Sequence, residues 1–224
     1  MPKRVLIVED HALLALSLQI ALSARGSIVE TTDGPTPTDI IDHAHRFGPR
    51  SVLLDINLGG AVGCGIDLIA PLRATGAEVV MLTAETDLAV LASCLEAGAA
   101  GFIGKHASLD EVEAALGDVR EGLPLIGCAV REAMLEELRS RRANERDALS
   151  PFQQLTQRER EVLALLVDGL SAEEIAETRY VALTTVRSQI RSVLHKLGVR
   201  SQLAAVARAN RVGWTRDAAI LAVA

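Results

Sequence analysis

Aromatic residues are scarce in this chain of 224: one Trp, one Tyr and three Phe, or 2%. A hydrophobic share of 49% must then come from Ala, Val, Leu and Ile, which implies a folded aliphatic core and excludes a disordered chain. Cysteine is sparse as well. Cys64, Cys94 and Cys128 are odd in number and form no CxxC pair, which argues against a disulfide framework or a zinc site and fits free thiols in a reducing cytosol. No uncharged apolar stretch reaches the roughly 18 residues that a membrane span needs. Met-Pro-Lys-Arg runs straight into a five-residue strand pattern, too short for a signal-peptide apolar region. The expected location is cytoplasmic, with no membrane partner.

Charge is unevenly spread. Residues 1–120 carry twice as many Asp and Glu as Lys and Arg, whereas residues 151–224 carry more basic than acidic ones. Two domains with different partners follow, the second facing a polyanion.

The front alternates strand and helix. Short apolar runs at Arg4–Val8, Ser27–Thr31, Ser51–Leu54, Glu78–Thr83 and Gly101–Ile103 read as buried parallel strands. Helices are expected at Ala12–Ala24 (buried on most sides), Thr38–His45, Ile66–Arg73, Asp87–Glu96 and Leu109–Arg120. Ser108 and Glu111 form a capping box for the last of these. Five βα units imply an α/β, doubly wound five-stranded parallel sheet over residues 1–122. Residues 123–150, rich in Arg and Glu, read as a partly helical, solvated linker, with Ser150-Pro151 as the second boundary. Residues 151–224 read as a smaller all-α domain of four helices.

Chemistry-bearing residues follow four of the strands. Glu9-Asp10 follows the first, Asp55 the third, Thr83 the fourth and Lys105 the fifth. Ligands in open parallel sheets sit beyond the carboxyl ends of the strands, where strand order reverses, so these groups should gather on one rim. A hard Mg²⁺ ion wants oxygen ligands. Asp10 and Asp55 can supply two, Glu9 can hold a metal-bound water, and the Asn57 carbonyl can add one more. Asp55 is then the nucleophile for a phosphoryl group, with Lys105 and the Thr83 hydroxyl on its oxygens.

On Glu9-Asp10, Asp55, Thr83-Ala84, Phe102 and Lys105, and on Glu96 to Phe102 leading into the fifth strand, residues 4–120 resemble the receiver domain of bacterial two-component response regulators. The resemblance implies that a sensor histidine kinase phosphorylates Asp55, and that Thr83 and Phe102 are the switch pair. The chain departs from the family pattern in two places. His106 stands where proline usually follows the lysine, and a non-proline cis bond costs about 2.5–4 kcal/mol, so a trans bond is expected. The loop Ile56–Gly65 is longer and richer in glycine, and is expected to be floppy.

The back end fits a helix-turn-helix. Ser171–Thr178 is the scaffold, Arg179–Leu183 the turn and Thr184–Leu197 the reader. Val186, Ile190, Val193, Leu194 and Leu197 point inward. Thr184, Thr185, Arg187, Ser188 and Arg191 are candidates for base or phosphate contact in the major groove, and Gln189, Ser192 and Lys196 for phosphate contact. The strings Leu155 to Leu163, Glu174-Ile175-Ala176, Thr185-Val186-Arg187 and Lys196 to Val199 resemble the LuxR-type DNA-binding domain. That resemblance implies a homodimer contact on the fourth helix, at Ser201, Leu203 and Val206. Arg179 stands where the family buries a leucine, so it should be solvated or paired.

Both resemblances together imply a NarL/FixJ-type response regulator: a double-stranded-DNA-binding transcriptional regulator, not an enzyme, switched by Mg²⁺-dependent phosphorylation of Asp55. One alternative keeps the architecture and replaces phosphorylation by partner binding or dimerisation. The other is a phosphatase passing through an aspartyl phosphate, but such enzymes need an acid two residues after the nucleophile, where Asn57 sits.

Overall fold

The structure, a computed structural model, describes residues 3–214. The chain divides into two compact units, residues 1–139 and 140–224.

The first unit is built on a five-stranded sheet of β1 (Arg4–Val8), β2 (Ile28–Thr32), β3 (Ser51–Asp55), β6 (Glu78–Thr83) and β7 (Gly101–Gly104). Its order is β2-β1-β3-β6-β7, and all pairings are parallel. Leu6, Ile7, Val8, Val52, Leu53, Leu54, Val79, Val80 and Met81 are fully buried, because helices cover both faces, which is why these strands read as unbroken apolar runs. On one face Leu6, Val8, Val52, Leu54, Val79 and Met81 pack with Ile40, Ile69 and Cys94. On the other, Val5, Ile7, Leu53 and Val80 pack with Leu22, Val112 and Leu116. These residues come from α1 (Ala12–Ala24), α2 (Pro37–Phe47), α3 (Ile66–Ala74), α4 (Leu88–Ala97) and α5 (Leu109–Arg120). The Ser108–Glu111 capping box forms as expected, and a further one, Thr36–Asp39, opens α2.

Three expectations are corrected. Helix α1 is not buried on most sides. Leu13, Leu16 and Ile20, at spacings of three and four, are 82%, 51% and 62% exposed, since a helix lying on a sheet can turn only one stripe inward. The segment after Asp55 is not an irregular glycine-rich loop but an antiparallel hairpin of β4 (Asn57–Gly59) and β5 (Gly63–Cys64). Leu58 and Val62 anchor it in the core. The linker is also more than a solvated spacer. Helix α6 runs from Cys128 to Gln153 and carries Pro151 inside it. At its start Arg131 donates to the carbonyls of Leu95 and Ala99 at 2.9 and 3.3 Å, capping the end of α4, and Met134 packs on the receiver core. Arg131 and Met134 are three apart, so one face of the helix carries both.

In the second unit α7 (Gln157–Val167), α8 (Ala172–Thr178), α9 (Leu183–Lys196) and α10 (Gln202–Arg211) enclose two apolar clusters. Thr156–Glu159 and Ser171–Glu174 also form capping boxes. Phe152 stacks on Trp214 at 5.9 Å. The reader helix starts at Leu183, one residue before the expected Thr184, and its N-cap is Ala182, which offers no side-chain bond.

Candidate functional site

Strand register decides the site. Val8 pairs with Leu54, Asp55 with Leu82 and Thr83 with Gly104, so the residues that end β1, β3, β6 and β7 share one edge. The reversal of strand order falls between β1 and β3, the position where open parallel sheets bind ligands. Ligand atoms of Glu9, Asp10, His11 and Asp55 all lie within 4.8 Å of one another. Glu9 and Asp55 are buried, whereas Asp10 is exposed.

Lys105 neutralises the buried pair. Its Nζ lies 2.7 Å from Glu9 Oε2 and 2.8 Å from Asp55 Oδ2. Partial burial pulls its pKa down, but the bonds to Asp55 and Glu9 outweigh that and hold it above the ordinary lysine value. Two carboxylates at van der Waals distance repel unless a cation lies between them, and Lys105 fills that role. His11 was missed in the sequence, although it directly follows the acid pair. Its Nδ1 is 2.9 Å from both Glu9 and Asp10. The bond to Glu9, then the charge of Asp10, raises its pKa.

Thr83 is buried at the end of β6. Its hydroxyl accepts from the Glu85 N–H at 2.9 Å and its carbonyl from the Lys105 N–H at 2.9 Å. Phe102 is half-buried against the core. Asn57 sits on β4 opposite Cys64. The hairpin returns over the rim. A Cβ on Gly59, where φ is +57°, would lie 3.2 Å from Asp10 Oδ2, and one on Gly65 would lie 2.0 Å from the Asp55 carbonyl oxygen. Only glycine permits that approach. No peptide bond among the described residues is cis, so the Lys105–His106 bond is trans as expected.

The reader helix sorts its candidates into two faces. Thr184, Thr185, Arg187, Ser188 and Arg191 are exposed. Arg187 rests on Glu173 of α8 at 2.8 Å. Gln189, Ser192 and Lys196, expected to meet phosphates, are half-buried; Gln189 faces Arg179 at the end of α8, and Ser192 and Lys196 turn towards α7. Ser192 donates to Glu159 at 2.5 Å and Lys196 at 2.7 Å. Burial alone would raise the Glu159 pKa. Its bonds from Lys196, Ser192 and Thr156 win and hold it at about 2. Arg179 is paired, one of the two expected outcomes, with Glu161 at 2.6 Å.

On α10, Ser201 caps the helix by accepting from the Ala204 N–H and Val206 packs inward. Leu203 is 79% exposed.

A parallel α/β domain with three acids and a lysine on one rim, joined to a helix-turn-helix domain, defines a response regulator. The chain belongs to the NarL-type response regulators: residues 5–117 match the response regulator receiver domain, and residues 153–209 match the bacterial regulatory proteins of the luxR family. It is 32% identical over 211 residues to the probable transcriptional regulatory protein NarL of Mycobacterium tuberculosis, covering 93% of this chain and 94% of that protein. It is 32% identical to the nitrate/nitrite response regulator protein NarP of Escherichia coli K12, with 91% and 93% covered. It is 27% identical to the transcriptional regulatory protein DesR of Bacillus subtilis, with 94% and 98% covered. The solved RcsB–DNA complex shares the fold at a TM-score of 0.51 and 22% identity, over 94% of this chain and 98% of that one. The protein is therefore a DNA-binding response regulator.

Proposed function

We propose that Asp55 accepts a phosphoryl group from a sensor histidine kinase and that the phosphorylated chain regulates transcription as a cytoplasmic homodimer on double-stranded DNA, without turning over a substrate. The observation that carries this reading is the buried Glu9–Lys105–Asp55 arrangement, with ammonium-to-carboxylate distances of 2.7 and 2.8 Å. The Asp55 carboxylate attacks phosphorus, the P–N bond to the donor imidazole breaks, and the imidazole leaves with that electron pair. An ionised carboxylate needs no general base. Lys105 is already within reach of Asp55 and can move from its carboxylate to a phosphoryl oxygen. Thr83 can turn its hydroxyl from the Glu85 N–H to another, leaving room for Phe102 to reposition.

The hard oxygen set of Glu9, Asp10 and Asp55 fits Mg²⁺, which would supply neutralisation of the incoming phosphoryl charge. Asn57 would contribute through its backbone carbonyl. The exposed Leu13, Leu16 and Ile20 stripe begins three residues after Asp10, and so offers an apolar docking face to a phosphodonor domain. Among the described residues no helix is long and apolar enough to cross a membrane.

On the DNA side, Arg187 and Arg191 are four apart on the exposed face and can reach base edges, with Thr184, Thr185 and Ser188 beside them. Ser192 and Lys196 act chiefly by holding the reader helix to α7, and Gln189 by meeting Arg179 at the end of α8. Leu203, exposed on α10, centres the dimer contact.

Incubation with acetyl phosphate and Mg²⁺ tests the switch by intact-mass measurement. The expected result is a gain of one phosphoryl group, abolished by Asp55→Ala. An unchanged mass in the wild type would overturn phosphorylation and favour control by partner binding.

A further inference from the structure

We propose that Arg131 latches the linker helix to the receiver in the unphosphorylated state, and that the switch at Thr83 opens this latch by moving α4. This inference rests on the phosphorylation reading and adds a route from the rim to the linker that the reading does not contain.

The far end of α4 is gripped from the linker. Arg131 donates to the Leu95 carbonyl in the last turn of α4 at 2.9 Å. It also donates to the Ala99 carbonyl, in the turn that leads into β7, at 3.3 Å. The end of a helix presents unpaired carbonyls and a partial negative charge, which suit a guanidinium. Met134, three residues on, packs on the core that holds Leu91 and Cys94 of α4 and, at its edge, Phe102. Leu138 is buried as well, so Arg131, Met134 and Leu138 form one stripe along α6. A second hold precedes the helix. A Cβ on Gly101, the first residue of β7, would lie 2.7 Å from the Leu125 side chain, so Leu125 rests directly on the strand. Two linker groups therefore grip the junction of α4 and β7, beside Phe102.

The near end of α4 is tied to the rim by a chain of local bonds. The Glu85 N–H donates to the Thr83 hydroxyl at 2.9 Å. The Glu85 carboxylate accepts from the Thr86 and Asp87 N–H groups at 2.7 and 2.8 Å. Asp87 in turn caps α4 by accepting from the Ala89 N–H at 2.8 Å. When the Thr83 hydroxyl turns to a phosphoryl oxygen, the Glu85 N–H loses its acceptor and the start of α4 is freed.

What happens at one end of α4 is felt at the other, because 10 residues of helix make a rod about 15 Å long. Packed interfaces change between discrete arrangements rather than yielding continuously. A shift of about 1 Å takes a bond of 2.9 Å beyond hydrogen-bond range. The start of α6 is thus held in one state and released in the other. Since α6 continues to Gln153, its release reaches the chain that leads into the second unit. A fixed helix cap would stabilise both states alike. Arg131 as a positioning residue is recognised instead by a difference between them.

The test compares the full-length protein before and after acetyl phosphate and Mg²⁺. Intact mass reports phosphorylation, and hydrogen–deuterium exchange is followed in the peptide covering residues 128–139. In the wild type, phosphorylation should speed exchange of that peptide roughly tenfold, as expected when charge-assisted bonds break. Arg131→Gln should exchange fast from the outset, with no further rise on phosphorylation. Arg131→Lys, which keeps the charge, should keep part of the response. A phosphorylated wild type whose exchange in this peptide is unchanged or slowed overturns the latch, and that comparison needs no variant to fold. So does an Arg131→Gln protein that responds as fully as the wild type, which would make Arg131 a fixed cap. A wild type that gains no mass overturns the phosphorylation reading, and the latch with it.

Discussion

The two units use carboxylates in opposite ways. In the receiver, Glu9 and Asp55 are buried together and share one lysine, with Asp10 beside them, so that the carboxylates outnumber the ammonium that bridges them. In the DNA-binding unit, each inward carboxylate of α7 is matched to cations of the neighbouring helices: Glu159 to Lys196, and Glu161 to Arg158 and Arg179. The first arrangement is poised to change. The second is satisfied, and it fixes the angle at which the reader helix is presented. The lesson is that a buried acid is reactive where cations are too few and structural where they suffice.

Removing the lysine that bridges the two buried acids of the receiver should have the largest effect. Lys105→Met leaves Glu9 and Asp55 facing each other, and loss of one partner of a buried ionic group costs about 3–5 kcal/mol. Urea unfolding should show that loss in the absence of Mg²⁺ and a larger gain on adding it than the wild type shows. Equal responses to Mg²⁺ in both proteins would contradict the poised reading.

The satisfied cluster predicts a different behaviour. Glu159→Gln keeps shape but removes the charge, and hydrogen bonds to a charged group contribute about 1.5–3 kcal/mol. Its folded pKa of about 2 lies below the ordinary glutamate value. The stabilisation is therefore fully present above the unfolded pKa and is lost as pH falls towards 2. Thermal unfolding between neutral pH and pH 3 should narrow the gap between wild type and Glu159→Gln as the pH falls, and an unchanged gap would count against the assignment.

On the exposed face, Arg191→Ala should lower affinity for the cognate duplex by about 1–3 kcal/mol if the arginine reads a base. Arg187→Ala should cost less, because Arg187 must first leave Glu173. Anisotropy titrations of the two variants rank them, and a larger loss for Arg187 would reverse the assignment. The smallest effect concerns the linker. Arg131→Ala removes the bonds to Leu95 and Ala99, and should lower receiver stability by about 1 kcal/mol. Denaturant melts check it.

Much of this was legible in the sequence. Unbroken apolar runs such as Val5–Val8 and Val79–Leu82 specify parallel strands, and the acid, hydroxyl or amine that ends each run specifies the rim. Ser108, Thr156 and Ser171 with a glutamate three residues on mark helix starts, because the capping box is a local bond. Other features depend on pairs distant in the chain. That Ser192 and Lys196 turn towards α7 follows from the packing of α7 on α9, not from the reader helix alone, which shows the same polar residues on both flanks. The stripe on α1 was misread for the same reason: its leucines surround the helix in sequence, and only the sheet decides which are covered.

The sequence alone determined the order of the sheet strands and their helices, the two domains and which acids end the strands, because these rest on local periodicity and on side-chain chemistry. Tertiary structure alone decided that Lys105 bridges Glu9 and Asp55, that the loop over Asp10 folds as a hairpin and that Arg179 meets Glu161. The physical reason is that electrostatic and steric coupling falls off within a few ångströms, and residues that far apart along a chain come within that range only when a sheet or a helix pair sets their register.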